Sequence, residues 1–361
     1  MFKEMNVYKK ILIAIIVVLL LILLATFAFP KKVVSLVSKL SAHREKMLTL
    51  EKLYSRNLTS DMKVFFRDDK IYYHKDGTLV MTKMSDEDVL RRDFEARAAN
   101  VQFKDKYIYA TDGPSGIVNI LSYDDLKDVK SFNYDEDVAF VDEKNGRFTA
   151  WLSDGFNETL RTYDDEFTER FRYKATNPIL TYNVDKDFKT MQIASFDPFS
   201  SEIKASLYKE INRKGENKLL YKFNGEVIAF IGELKGMKLV ATNKGIYYMQ
   251  ESSIVFKKEY NTLKDIVISG GKVYLLCDDR LMVLNDKAEV LEEHSFNQNV
   301  RSLLKYKDDF IVYSEREVYI PSKDKYYMKD FQEDIRNIFL SKDSIAIVSD
   351  ENITIYSINI K

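Results

Sequence analysis

Three histidines, one cysteine and a series of aspartate pairs are the side chains in this 361-residue sequence that could do chemistry. A serine hydrolase needs a histidine beside a nucleophile and an orienting carboxylate. His43 lies in a basic segment close to an apolar run. His74 and His294 each fall in a strand-like stretch, where a solvated imidazole is the expected state. Cys277 ends the apolar run 272–277 and reads as a buried structural thiol rather than a nucleophile. A single cysteine also excludes an intrachain disulfide framework and a cysteine-rich zinc site.

Carboxylates are abundant, and a pair meeting in a channel would supply the acid and base for hydrolysis of glycans or peptides, marked by raised pKa values. The pairs themselves have a simpler use. Asp68-Asp69, Asp124-Asp125, Asp164-Asp165, Asp278-Asp279 and Asp308-Asp309 recur between strand-like runs, where Asp favours turns through bonds from its side chain to the backbone. The segment 142–147 reads Asp-Glu-Lys-Asn-Gly-Arg, with Lys144 standing where a calcium loop needs an oxygen ligand. No glycine-rich phosphate loop and no helix with paired histidines occurs in the sequence. No catalytic, cofactor-binding or metal-ligating residue is assigned, and no cofactor is expected.

The elements that would position any site follow a regular beat. Tyr54, Phe94, Phe132, Tyr173, Phe223, Tyr260, Phe296 and Phe331 close successive segments at intervals of 35 to 50 residues. The interval ending at Phe296 shows the internal pattern. Apolar runs at 265–269, 272–277 and 281–284 are separated by Gly270-Gly271 and Asp278-Asp279, and a polar run at 290–296 follows. Continuously apolar runs suit strands covered on both faces, and a charged last run suits an exposed edge. Strand-sized units of this length, repeated along a chain, predict an all-β propeller, with eight blades and seven as the alternative count. The last unit has three strands, at 335–340, 345–349 and 353–358, so the run 47–54 is expected to supply its fourth and close the ring. A helix continuing from the preceding segment is the rival reading of 47–54, because Val33, Leu36, Val37 and Leu40 recur at helical spacing. The 50-residue interval before Phe223 holds about a dozen extra residues, placed within 196–217, either as a binding insertion or as an inert excursion.

The chain begins with an organisation of a different kind. Residues 1–10 form a short basic head and 11–29 carry no charge, with Thr26 the only polar side chain. Nineteen helical residues span roughly 28 Å, enough for one bilayer crossing of about 30 Å. A cleavable signal peptide is the alternative, with Thr26-Phe27-Ala28 as a cleavage site, but its apolar run is usually shorter. The reading is therefore an uncleaved transmembrane helix at 11–29, a juxtamembrane helical stalk at 30–46 and a propeller at 47–361. Lys31, Lys32, Lys39 and Arg44 behind the span outweigh Lys3, Lys9 and Lys10 before it, which taken alone leans towards a cytoplasmic C-terminus. A basic head followed at once by an apolar run has the form of an export signal, and long domains behind such signals cross with little regard to charge. The propeller is expected outside the cytoplasm, on a single-pass plasma-membrane protein.

Charge excludes one class of partner. The net charge of −1 divides into +7 over residues 1–56 and −8 over the remainder. An acidic domain with no basic stripe does not bind nucleic acid. Hydrophobic residues at 45% and charged residues at 31% exclude a disordered chain.

The single Trp151 and the single Gly270-Gly271 pair depart from propellers that repeat Trp-Asp, tryptophan or double-glycine signatures in every blade. A basic head, one apolar span and degenerate units ending in Phe or Tyr resemble the uncharacterised single-pass propeller proteins of clostridia-like Gram-positive bacteria, across the whole chain. That family offers no agreed activity to carry over, and no enzyme is expected. The expected function is a non-catalytic docking platform for a protein or cell-envelope partner, with residues 11–29 in the lipid bilayer. A small-ligand or glycan sensor and a carboxylate-dependent hydrolase or lyase working in the channel are the alternatives.

Overall fold

The computed structural model describes residues 48–360 apart from 60, 86, 95–99, 145, 186, 212–215, 297–298 and 323–324. The head 1–10, the span 11–29 and the stalk 30–46 lie outside the described residues. Among those described, no helix is long and apolar enough to cross a membrane.

Among the described residues thirty-two strands form eight four-stranded antiparallel sheets. Blades 1 to 7 cover 63–93, 100–133, 137–175, 179–224, 228–259, 263–295 and 302–330, each with its strands in chain order. Blade 8 takes three strands from 337–360 and its outer strand, Leu48–Asn57, from the start of the domain. Leu48 pairs with Ile360 and Asn57 with Asn352, so the two ends of the domain are hydrogen-bonded into one sheet.

The periodic aromatics mark the seams between blades. Each of the eight clusters of buried side chains among the described residues joins two consecutive blades and contains one aromatic of the series, from Tyr54 at the seam of blades 8 and 1 to Phe331 at that of blades 7 and 8. Phe94, Tyr260, Phe296 and Phe331 also donate their backbone N–H, at 2.8 to 3.2 Å, to the residue just before the third strand of their blade. In these four blades one position finishes the outer strand and fills the seam, whereas Tyr54, Phe132, Tyr173 and Phe223 reach their seams from within the outer strand. Burying each such ring contributes roughly 1.5–3 kcal/mol.

Most of the paired aspartates are turn residues, as their composition implies, although Asp309 begins a strand. Asp68, Asp69, Asp278 and Asp279 all have positive φ, between 48° and 60°, the conformation that a two-residue hairpin turn demands and that Asp tolerates. The extra residues of the long unit remain inside blade 4. Lys204–Ile211 is its third strand, and the added length is shared by the seven-residue turn 197–203 and the outer strand Glu216–Asn224.

The two solvated histidines of the sequence reading need correction, since His74 is 9% and His294 8% exposed. Strand register decides this. His294 pairs with Leu281, itself 2% exposed, and so shares its inward position while Glu293 and Ser295 on either side are not buried.

Outer strands bear bulges as well as charge. In blades 1 to 6 and 8 the register between the third and outer strands shifts by a residue. In five blades the skipped residue is an exposed aliphatic, namely Leu53, Val89, Val129, Val255 or Leu291. A bulge breaks the flat row of free N–H and C=O groups that another sheet could pair with.

Candidate docking face

Strand order gives the ring two unlike faces. One carries the hairpins between first and second and between third and fourth strands. The other carries the second-to-third-strand turns and the connections between blades. Leu48 begins an outer strand opposite Ile360, so the chain enters the domain on the hairpin face.

On the connection face two consecutive blades present the same Asp-x-Phe bond within turns of different length. In blade 3 the turn is Asp154-Gly155-Phe156-Asn157, where Asp154 Oδ1 accepts the backbone N–H groups of Phe156 at 3.0 Å and Asn157 at 2.7 Å. Gly155 supplies the φ of +85° that lets the chain fold back over the carboxylate. Lys174 Nζ closes on Asp154 Oδ2 at 3.1 Å. Together these donors hold the Asp154 carboxyl well below the usual carboxylate range, the Asn157 and Phe156 amides first among them. In blade 4, Asp197 Oδ1 accepts the N–H of Phe199 at 3.1 Å, and the loop is tied at its ends by Phe196 N–H to Pro178 O at 2.9 Å and Gly225 N–H to Ile203 O at 2.7 Å.

Both turns fix an aromatic side chain in solvent. Phe156 is 97% and Phe199 92% exposed, whereas the other exposed large apolar residues among those described lie between 38% and 48%. Half-exposed aliphatics on a bulged strand are ordinary surface. Two nearly bare phenylalanines on rigid turns of neighbouring blades are what an interface core uses as anchors. The sequence alone marked 196–217 as a binding insertion or an inert excursion and did not single out Phe156, although Asp-x-Phe at matching points of consecutive units was the available signal.

The surroundings are acidic. The turns and links of this face from blade 2 to blade 5 carry Asp135, Glu136, Asp154, Asp197, Glu202 and Glu226 against Lys244. Arg161 pairs with Glu136 at 2.7 Å and Lys174 with Asp154, which leaves the face net negative.

The central channel offers a second feature. A cavity of about 880 Å³ opens between the inner strands of blades 3 to 6 towards the hairpin face, walled by Val184, Phe230, Ile231 and Ile266 with Lys144 and Glu233 at its polar side. The inner strands of these four blades, and no others among those described, are bulged against their second strands, which re-aims side chains at the channel. One of them, Phe140, packs at a tilt against Trp151 with ring centroids 4.6 Å apart.

Three charged groups of the cavity are committed to structure. Asp185 accepts the backbone N–H groups of Lys189 at 2.7 Å and Thr190 at 3.1 Å. Lys235 pairs with Asp286 at 2.8 Å. Lys144 donates to Tyr182 O at 3.0 Å and lies over the Tyr182 ring, and burial pulls its pKa down. The two carboxyls that burial pushes up, Glu143 and Asp309, stand in blades 3 and 7 and neither lines the cavity. Glu143 is held in the seam by Tyr109 Oη–H and the N–H of Lys106, each at 2.9 Å. Cys277 is fully buried, its thiol pushed up to about 12 by desolvation. Among the described residues no three His, Cys, Asp or Glu side chains gather as metal ligands.

Comparison with known proteins extends to the fold. No protein-family model matches the sequence, and no curated protein sequence does. BamB from Moraxella catarrhalis is similar over 86% of this chain and 100% of its own, at a TM-score of 0.54 and 11% identity. Sqt1 from Saccharomyces cerevisiae is similar over the same shares at a TM-score of 0.59 and 9% identity.

Proposed function

We propose that this protein is a membrane-tethered docking platform whose connection face captures a protein partner outside the cytoplasm. The observation that carries the reading is the pair of Asp-x-Phe turns holding Phe156 and Phe199 in solvent on adjacent blades. The seams make the ring a rigid support, so anchors fixed on it bind with little ordering cost. The apolar run 11–29 is the tether. The domain is entered on the hairpin face, opposite the one that carries the phenylalanines.

A photo-crosslinking residue at position 156 in intact cells tests the reading, with position 129 on the outer rim as control. An adduct at 156, absent at 129 and weakened by Phe199→Ser, is expected; equal adducts at both positions, or none at 156, would overturn it. Orientation has its own measurement, since buried Cys277 leaves the chain silent to thiol reagents. A cysteine introduced at Ser201, in the exposed turn of blade 4, should react with a membrane-impermeant maleimide in intact cells, and protection until lysis would place the domain inside.

A small-ligand sensor is the second reading, favoured by the channel cavity of about 880 Å³. Stabilisation of the chain against heat by a sugar or amino acid, removed by Ile231→Trp in the cavity wall, would support it over docking.

A further inference from the structure

We infer that the partner held by Phe156 and Phe199 is a cationic protein segment carrying apolar side chains. This rests on the docking reading and goes further by choosing among three occupants of the same surface. The first is a second copy of this chain. Two connection faces brought together would oppose Asp135, Asp197 and Glu202 to their own copies around the phenylalanines, and like charges across an interface disfavour it. The second is an anionic bilayer, which the same carboxylates repel. The third is a basic segment, for which every feature of the face is favourable.

The fit is chemical at three points. Apolar side chains of the segment cover the two rings and remove them from water. Lys or Arg side chains beside them meet Asp135 and Glu202, both exposed, and lie against the negative faces of the phenylalanine rings. The turn carboxylates Asp154 and Asp197 are already bonded to backbone amides, so they keep the rings in place and are not drawn away by an arriving cation. Opposite charge around an apolar centre is also the arrangement that speeds encounter and rejects acidic competitors.

The experiment uses the full chain in nanodiscs of phosphatidylcholine, probed with short fluorescent peptides by anisotropy. One peptide alternates Lys and Leu, one replaces Lys with Glu, and one replaces Leu with Ser. The Lys-Leu peptide should bind at least about tenfold more tightly than either control, and more weakly as salt rises. Phe156→Ser with Phe199→Ser should remove that preference, and Asp135→Asn with Glu202→Gln should weaken binding several-fold with thermal unfolding unchanged. Equal binding of the Glu-Leu peptide, or Lys-Leu binding indifferent to the phenylalanines, would overturn the inference. So would self-association of the chain, or binding to phosphatidylglycerol vesicles, lost on Phe156→Ser. If the crosslink at position 156 persists in cells while the peptides bind alike, docking stands and the basic partner falls.

Discussion

Leu48 lies directly across from Ile360 in blade 8, and with a relative exposure of 2% it is packed into the seam with blade 7 beside Ile358, Ile345 and Tyr313. The ring is therefore latched by a strand that belongs to the opposite end of the domain. Removing Leu48 acts on the latch and on the seam together. Leu48→Ala should cost about 2–5 kcal/mol in chemical denaturation, the range for a buried leucine. Thr49→Ala, on the solvent side of the same strand, should lie within about 0.5 kcal/mol of the parent. If both substitutions cost the same small amount, the strand is not a latch.

Phe223 and Phe156 are the same residue type with opposite surroundings. Phe223, 3% exposed, fills the seam of blades 4 and 5 against Tyr221 and Tyr247. Phe223→Ala should lose about 3–5 kcal/mol of stability, while Phe156→Ala should change stability by less than about 0.5 kcal/mol and weaken partner binding instead. Emission of Trp151, the only tryptophan in the sequence and 8% exposed, reports the unfolding of both variants. A reversal of the two costs would contradict the roles given to them.

This contrast also explains what the sequence could show. The seam position recurs because each blade meets its neighbour in the same way, so Phe94, Phe132, Phe223 and their equivalents report the fold through a period. The closing strand was legible too, because a three-stranded last unit needs a fourth. Phe156 and Phe199 answer to no packing pattern, and since Asp-x-Phe also ends at buried Phe310, only its matching place in consecutive units sets them apart. The cavity was beyond reach, because its wall joins residues from four separate units, Lys144, Val184, Ile231 and Ile266, that only the closed ring brings together. The histidines were misread for a related reason. Which way an imidazole faces is set by register, and a shift of one residue reverses it.

Cys277 gives a direct measure of cooperativity. Desolvation is the largest cause of its raised pKa, about 12, and it packs between blades 5 and 6 with Tyr260 and Met282. The thiolate is the reactive form. Labelling of the folded chain with a thiol reagent at neutral pH should therefore run at the rate of unfolding and rise in step with loss of the Trp151 signal. Rapid labelling of the native protein would show that this seam opens on its own.

His74 makes stability depend on pH in a stated direction. Its ring is buried beside Phe94, with ring centroids 6.1 Å apart, and Nε2 has no hydrogen-bond partner. Burial lowers its pKa below 6.5, the charge of Lys63 lowers it further, and Asp76 opposes both. Below 6.5 the unfolded chain takes up a proton that the folded chain refuses, so stability is complete above that pH and declines as pH falls through the window beneath it. His74→Leu removes the titrating group. The parent should lose more stability than His74→Leu between neutral and mildly acidic pH, while the two differ little in slope above 7. Parallel stability profiles through the acidic window would show that the imidazole is protonated in the folded protein as readily as in the unfolded chain.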